Sequence, residues 1–432
     1  VLFFKKFLNS RKMIRKKVVV IGGGFAGIQL IRKLDKKLFD VLLIDKHNHH
    51  MFQPLFYQVA TSQIEPSTIS FPLRNIFKSK KDVQIRMARF QGIDREKKQV
   101  MTHIGNFEYD YLVLAHGCKT NFFGNTELEQ NALTLKTTYD AIKIRNHIIR
   151  AYEKAIIAPK DKKDRYNNLI IVGAGPTGVE LAGAFADIKR KILPKDYPGI
   201  DFSTYNIILV EGSKSSLINM SENAQQASMK YLQGMGVNVI TNVVLKNYDG
   251  QTATLSNGQT IKTGTVIWAA GVTGNRTEGL PETAKGPGNR IRVDRYNKVS
   301  GCDDIFAIGD IALMETPKYP KGHPQVANVA INQAKLLAKN LKALETGKVI
   351  YDFEYVDMGS MATIGNYKAV VDLPFIKFKG YPAWLVWMLL HLMLILSVRN
   401  KLIVFINWAW KFITQDTSLR LILTPDKDDM AM

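Results

Sequence analysis

The chain has 432 residues, enough for two or three domains with separate cores, and carries 59 Lys and Arg against 38 Asp and Glu, a net charge of +21. That balance favours anionic partners, either nucleic acid or an acidic bilayer. Two cysteines, Cys118 and Cys302, with no C-x-x-C spacing exclude a disulfide scaffold and a zinc ribbon and fit a reducing, intracellular setting.

Residues 1–15 form a basic arm with Lys5, Lys6, Arg11, Lys12 and Arg15 and no acid. Its apolar part is too short and too broken by lysine for a signal-peptide core, so no export is expected. The arm reads either as a lipid-touching segment or as a leader ahead of a start at Met13.

The run Val18-Val19-Val20-Ile21 then enters Gly22-Gly23-Gly24-Phe25-Ala26-Gly27. A continuous apolar run fits a strand buried on both faces of a parallel sheet. Gly22, Gly24 and Gly27 have the G-x-G-x-x-G spacing of a strand-to-helix turn that cradles a pyrophosphate. A helix from Phe25 to about Leu34 and a second strand, Val41 to Ile44, follow. Asp45 ends that strand, placed to bind ribose hydroxyls.

The next segment, His47-Asn48-His49-His50 followed by Met51-Phe52-Gln53-Pro54-Leu55-Phe56-Tyr57-Gln58, has three histidines but no acid or cysteine at ligand spacing. A metal site is not expected. It reads instead as a loop lying across a cofactor, with Gln53, Tyr57 and Gln58 offering polar edges. Tyr109 to Ala115 is a strand, and the turn with His116 and Gly117 stands at its C-terminal end, where open α/β sheets bind ligands.

After a helical stretch from Ala141 to Lys154, the opening motif recurs. Leu169 to Val172 leads into Gly173-Ala174-Gly175-Pro176-Thr177-Gly178, a helix runs through Asp187, and Ile207 to Val210 ends in Glu211. Two such units imply two nucleotide cofactors. Glu211 accepts hydrogen bonds from an adenosine 2′-hydroxyl and repels a 2′-phosphate, which predicts NADH over NADPH, with Ser213 and Lys214 nearby softening the preference. Glu180 has two readings: a capping box with Thr177, or a group that borders and places the nicotinamide ring.

Val266 to Ala270 closes the second unit in a small-residue turn at Gly271. The strand Asp304 to Ile308 ends in Gly309-Asp310, where the acid either bonds the ribityl chain of a flavin or caps the next helix. That helix is expected from Pro324 or Gln325 to about Leu341, its N-terminus aimed at the flavin, where a partial positive charge favours the anionic reduced ring.

The last eighty or so residues change character. Tyr381 to Val398 has 18 residues without a formal charge, and Leu402 to Ile413 carries Trp408, Trp410 and Lys411 among apolar residues. Tryptophan beside lysine suits a headgroup interface, so a pair of helices lying in one leaflet is expected rather than a span. Lipid becomes the partner of the basic charge, and nucleic acid does not, because no stacking platform or nucleic-acid motif accompanies the cations. The tail from Pro425 is acidic.

From about Lys16 to Leu423 the chain resembles the type II NADH dehydrogenases, single-subunit, non-proton-pumping NADH:quinone oxidoreductases. The resemblance rests on the Gly22–Gly27 cradle, Phe52-Gln53-Pro54-Leu55 with Tyr57-Gln58-Val59-Ala60, Gly175-Pro176-Thr177-Gly178-Val179-Glu180, Trp268-Ala269-Ala270-Gly271-Val272, Ala307-Ile308-Gly309-Asp310 and the Trp-rich C-terminus. It implies an α/β fold of two Rossmann-like domains with a C-terminal membrane-associating helical segment. FAD is expected at residues 16–120 and 276–350, NADH at 121–275, and the anchor at 351–432. It further implies a membrane quinone, menaquinone or ubiquinone, as acceptor, and a homodimer docked on an anionic bilayer at the cytoplasmic face of the bacterial inner membrane.

On this resemblance FAD is held by Gly22, Gly24, Gly27, Asp45, Gln53, Gly117 and Asp310, and NADH by Gly173, Gly175, Gly178, Glu211 and Gly271. Glu180 serves the nicotinamide, and Gln325, Asn328 and Asn332 line the reacting site beside the quinone. Two residues depart from the family pattern A-Q-x-A-x-Q: Asn328 and Asn332 replace both glutamines, retaining an i, i+4 pair of amides, each shorter by one methylene. His116 stands where the family usually has Thr. The rivals are a sulfide:quinone oxidoreductase-like enzyme, which would need Cys118 and Cys302 to flank the flavin, and a slow-turnover flavin redox sensor docked on the membrane. Disulfide reductases and flavin peroxidases lack the cysteines they require here.

Overall fold

Lys16–Ile21 pairs in parallel with Phe39–Asp45 on one side and Tyr111–Leu114 on the other, with Val18 opposite Val41 and Tyr111. Val83–Met87 and Ile305–Ala307 complete a five-stranded parallel sheet. Val18, Val19 and Val20 are fully buried, as an apolar run covered on both faces requires. In the computed structural model, residues 15–416 and 419–422 are described. The arm up to residue 14 and the tail from Pro425 lie outside them.

This sheet belongs to the first of two compact units, formed among the described residues by 15–50, Pro72–Lys119 and Val272–Val356. The helix Phe25–Lys33 packs along the long helix Ala327–Glu345. The latter starts later and ends later than the sequence suggests, with Val326 rather than an acid at its N-cap. Asp310 therefore does not cap it.

The second unit comprises, among the described residues, Met51–Phe71, Thr120–Gly271 and the residues from Asp357 onward. Its parallel sheet runs in the order Leu133–Thr134, Thr265–Trp268, Asn168–Val172, Asn206–Val210, Val237–Ile240. An antiparallel sheet of Ser360–Thr363, Ala369–Asp372 and Lys377–Gly380 leads into the helices Tyr381–Leu394 and Val398–Thr414. It approaches the helix Pro176–Lys191 so closely that a Cβ at Gly183 would collide with the backbone of Gly365.

The division places residues differently from the expected boundaries. The loop Met51–Phe71 and the C-terminal helices group with the second nucleotide sheet, not with the first or by themselves. Sequence order hides this because Tyr57 finds its partner, Thr363, 306 positions away.

Candidate functional site

In the first unit Gly22 has φ of 107°, and a Cβ there would strike the Ala115 carbonyl. A Cβ at Gly27 would strike the carbonyl of Gly22, whereas at Gly24 it would meet nothing. The turn therefore needs its first and third glycines for packing, and the second leaves the backbone open to a ligand. The helix beyond begins at Phe25 with Gly24 as its N-cap and no side-chain cap bond, and the start of a helix is a favourable place for phosphate.

Asp45 ends the second strand. Its carboxylate accepts from Gly23 N at 2.6 Å and His47 N at 2.7 Å, which fixes it beside the turn. A cavity of about 320 Å³ opens here, lined by Gly22, Ile44, Asp45, Arg89, His116 and Asn275 among others. Asn275 Nδ2 donates to the carbonyls of His116 and Gly117, both at 3.1 Å, and holds the turn at the end of the neighbouring strand. Gly117 itself has φ of 62°. His116 Nε2 lies 3.2 Å from Thr277 Oγ1, and burial pushes the imidazole down to about 4, so it is neutral at pH 7.

Elsewhere in this unit Gln325 Nε2 donates to the carbonyl of Asp310 at 2.9 Å and lies 2.9 Å from Cys118 Sγ. Gln333 Oε1 accepts from Gly309 N at 2.8 Å and so secures the turn that carries Asp310. Asn332 Nδ2 donates to Asn328 Oδ1 at 2.9 Å, so the two amides expected to face an acceptor bond to each other. Their i, i+4 spacing produces that pairing as readily as a shared ligand.

The second unit repeats the cradle. Gly173 has φ of 96°, and a Cβ at Gly178 would strike its carbonyl. Glu211 accepts from Ala174 N at 2.6 Å, Ser213 N at 2.8 Å and Ser213 Oγ at 2.7 Å. Gly271, with φ of 77°, follows the strand Thr265–Trp268 on the opposite side of the central strand from Glu211.

Glu180 does not close a capping box: the N-cap is Gly175 and makes no side-chain bond. Five residues into the helix, the carboxyl turns inward and is 8 % exposed. Thr363 N approaches it at 3.5 Å, and Trp387 also bonds it. Burial pushes its pKa up to about 8, so it keeps its proton at neutral pH. It lines a cavity of about 30 Å³ with Tyr57, Thr363, Trp387, Trp408 and Lys411, room for about one water.

Around that cavity Tyr57 Oη lies 3.0 Å from Thr363 Oγ1, Gln58 Nε2 donates to Tyr57 Oη at 3.0 Å, and Trp408 Nε1 donates to Gln58 Oε1 at 2.8 Å. Tyr57 and Gln58 are thus held inside the second unit, while Gln53 is exposed. Lys411 Nζ donates to Gln63 Oε1 at 2.7 Å, and burial brings its pKa down to about 8. Trp408 and Lys411 were expected at a headgroup interface; they face inward. Val404, Trp408 and Lys411 recur at i, i+4 and i+7, one face of a helix, and the sequence signal for this was the spacing rather than the residue types.

The other faces of the two C-terminal helices are apolar and exposed: Leu389, Met393, Leu402, Phe405, Ile406 and Trp410. Among the described residues no helix is long and apolar enough to cross a membrane. The break at Ile395 to Ser397 divides the apolar stretch into helices of 14 and 17 residues.

Two mononucleotide cradles, each backed by a carboxylate and each on its own parallel sheet, define the class of flavin- and pyridine-nucleotide-dependent oxidoreductases. Residues 16–334 match the pyridine nucleotide-disulphide oxidoreductase family, and residues 358–415 match the NDH2 C-terminal domain. The type II NADH:quinone oxidoreductase Ndh of Mycobacterium tuberculosis is 31 % identical over 421 residues, covering 93 % of this chain and 89 % of that protein. The structure of NDH2 from Plasmodium falciparum in complex with NADH superposes with a TM-score of 0.86 at 22 % identity, covering 95 % of this chain and all of that one. The sulfide:quinone oxidoreductase of Aquifex aeolicus superposes with a TM-score of 0.72 at 19 % identity over 93 % of this chain and 96 % of that one, a likeness of fold alone. The chain belongs to the type II NADH:quinone oxidoreductase family.

Proposed function

We propose that the protein oxidises NADH and passes the electrons, through FAD, to a membrane quinone, menaquinone or ubiquinone. The observation that carries the reading is the duplicated cradle, with Asp45 and Glu211 each fixed by two backbone N–H groups beside a phosphate-binding turn. Gly22, Gly24, Gly27 and Asp45 suit FAD, because the open Gly24, the uncapped helix start and the adjoining cavity match a pyrophosphate with an adenosine beside it. Bound FAD supplies two-electron chemistry that no side chain here provides.

The residues do the rest. Glu211 accepts from the adenosine ribose of NADH and disfavours a 2′-phosphate by like charge. Gln53, Gly117 and Asp310 are proposed at the flavin, and Gly173, Gly175, Gly178 and Gly271 at NADH. Gln325, Asn328 and Asn332 are proposed beside the quinone head. Reducing a quinone to its quinol consumes two protons. Glu180 holds one at neutral pH in a water-sized cavity shared with Lys411, which supports Glu180 as a proton donor rather than as an ionised clamp on the nicotinamide amide.

The exposed apolar faces of the helices Tyr381–Leu394 and Val398–Thr414, at about 21 and 26 Å, fall short of a hydrocarbon core of about 30 Å. Together with Arg399, Lys401 and the net charge of +21 they support docking flat on an anionic leaflet, at the cytoplasmic face of the bacterial inner membrane. A homodimer is proposed from the family resemblance. The test is NADH oxidation by purified protein with and without a short-chain quinone. Turnover that needs the quinone supports the reading, only residual turnover would favour the redox sensor, and quinone-independent turnover would mean another acceptor.

A further inference from the structure

Phe123 combines two features that ordinary folding disfavours. Its φ of 53° lies in the left-handed region, which a bulky side chain rarely adopts, and the residue is 71 % exposed, its ring edge-on to Trp268. The conformation is enforced by its surroundings. Asn121 Oδ1 accepts from Phe123 N at 2.8 Å, Asn121 O accepts from Trp268 Nε1 at 2.9 Å, and Asn121 N donates to Gly271 O at 3.3 Å. Strain of this kind, held by several bonds and used to present an apolar ring to solvent, is characteristic of ligand sites.

The ring's position indicates the ligand. A Cβ added at Gly271 would lie 2.9 Å from Phe123 Cζ, so the ring lies over Gly271. A Cβ added at Gly173, the first glycine of the second cradle, would lie 2.9 Å from Ala270 Cα. Phe123 therefore stands next to the pyrophosphate turn, at the C-terminal edge of the strand Thr265–Trp268. Glu211 marks the adenosine end on the other side of the central strand Asn168–Val172. A dinucleotide whose adenosine reaches Glu211 must run its other half past Ala270 and Gly271.

We propose that Phe123 is a binding residue for the nicotinamide-riboside half of NADH, its ring forming the outer wall of that subsite. The inference rests on the assignment of the second cradle to NADH. Phe123 costs backbone strain in the free protein and recovers it as apolar contact when the dinucleotide is bound.

The test is calorimetric titration of the oxidised holoenzyme with NAD⁺, which does not reduce the flavin, and with ADP, which lacks the nicotinamide half. Phe123→Gly suits the positive φ and removes only the ring. It is expected to raise the Kd for NAD⁺ about 5- to 20-fold, leave that for ADP within about 2-fold, and leave the melting temperature unchanged or higher. Phe123→Tyr is expected to bind NAD⁺ within about 2-fold of the parent, which excludes a folding defect as the cause. An unchanged Kd for NAD⁺ in Phe123→Gly, or equal weakening of NAD⁺ and ADP, would overturn the proposal. A parent protein that binds neither nucleotide would overturn the assignment of the second cradle, and this inference with it.

Discussion

The two nucleotide cradles share their wiring and differ in their surroundings. In each, an acid at the end of the second strand accepts from the residue after the first glycine, Gly23 or Ala174, and from the residue two places beyond itself, His47 or Ser213. The shared part is local in sequence and has a steric cause, because the first and third glycines sit where any side chain would strike backbone. The surroundings are not local. The first cradle is flanked by His116 and Asn275 from distant segments, while the second stands beside a strained, exposed Phe123. A duplicated fold thus keeps its phosphate grip and diverges in what the grip presents.

The largest effect should come from breaking one cradle at a time. Gly22→Val is expected to yield protein without flavin, and Gly173→Val protein that keeps its flavin but is not bleached by NADH. Absorbance spectra before and after NADH check both. Loss of flavin in both variants would mean that the two cradles are not independent.

Next is the group that neither cradle contains. Glu180→Gln keeps the shape and loses the ionisable proton, so flavin reduction by NADH should be little changed while quinone-dependent turnover falls about 100- to 10,000-fold. In the parent, turnover should decline as pH rises through about 8, where Glu180 gives up its proton, and Glu180→Gln should lack that limb. Equal losses in both half-reactions would return Glu180 to the nicotinamide.

A smaller change is expected at the acid that selects the nucleotide. Glu211→Ala should lose about 10-fold in affinity for NADH while gaining relative preference for NADPH, measured as the ratio of kcat/KM values. An unchanged ratio would assign the discrimination to Ser213 or Lys214.

The smallest effect separates the units by acid stability. Burial depresses His50 and His116 in the first unit, and His391 in the second, to about 4 from 6.5. Each is neutral when folded and protonates more readily when unfolded. Between about pH 6.5 and 4 the unfolded chain therefore binds more protons, and stability is lost as pH falls. Burial also lowers His47, His49 and His323 in the first unit and His147 in the second; with more such groups in the first unit, flavin release is expected to precede loss of the second unit's fold in an acid titration followed by flavin and tryptophan fluorescence.

What the sequence made legible follows the same division. The strands, both cradles, Asp45 and Glu211 were readable because glycine spacing, apolar runs and a strand-end acid are close-range constraints. Glu180 was identified with two readings, a capping box and a place beside the nicotinamide; the first fails because the N-cap is Gly175, and nothing near position 180 reveals that Thr363 and Trp387 cover the carboxyl. Lys411 looked like an interfacial cation because Trp408 and Trp410 flank it; only tertiary packing against Gln63 turns it inward. Asn328 and Asn332 were recognised as a facing pair, but not that they satisfy each other. The domain boundaries shifted for the same reason, because residues 51–71 pack with strands some 300 positions later.

The most direct test of the central claim is anaerobic stopped-flow absorbance of the purified flavoprotein, mixed first with NADH and then with a menaquinone or ubiquinone analogue. Bleaching of the flavin by NADH, followed by rapid recovery on addition of quinone, is the predicted result. Bleaching without recovery would contradict it, leaving an NADH-oxidising flavoprotein whose acceptor is not a quinone.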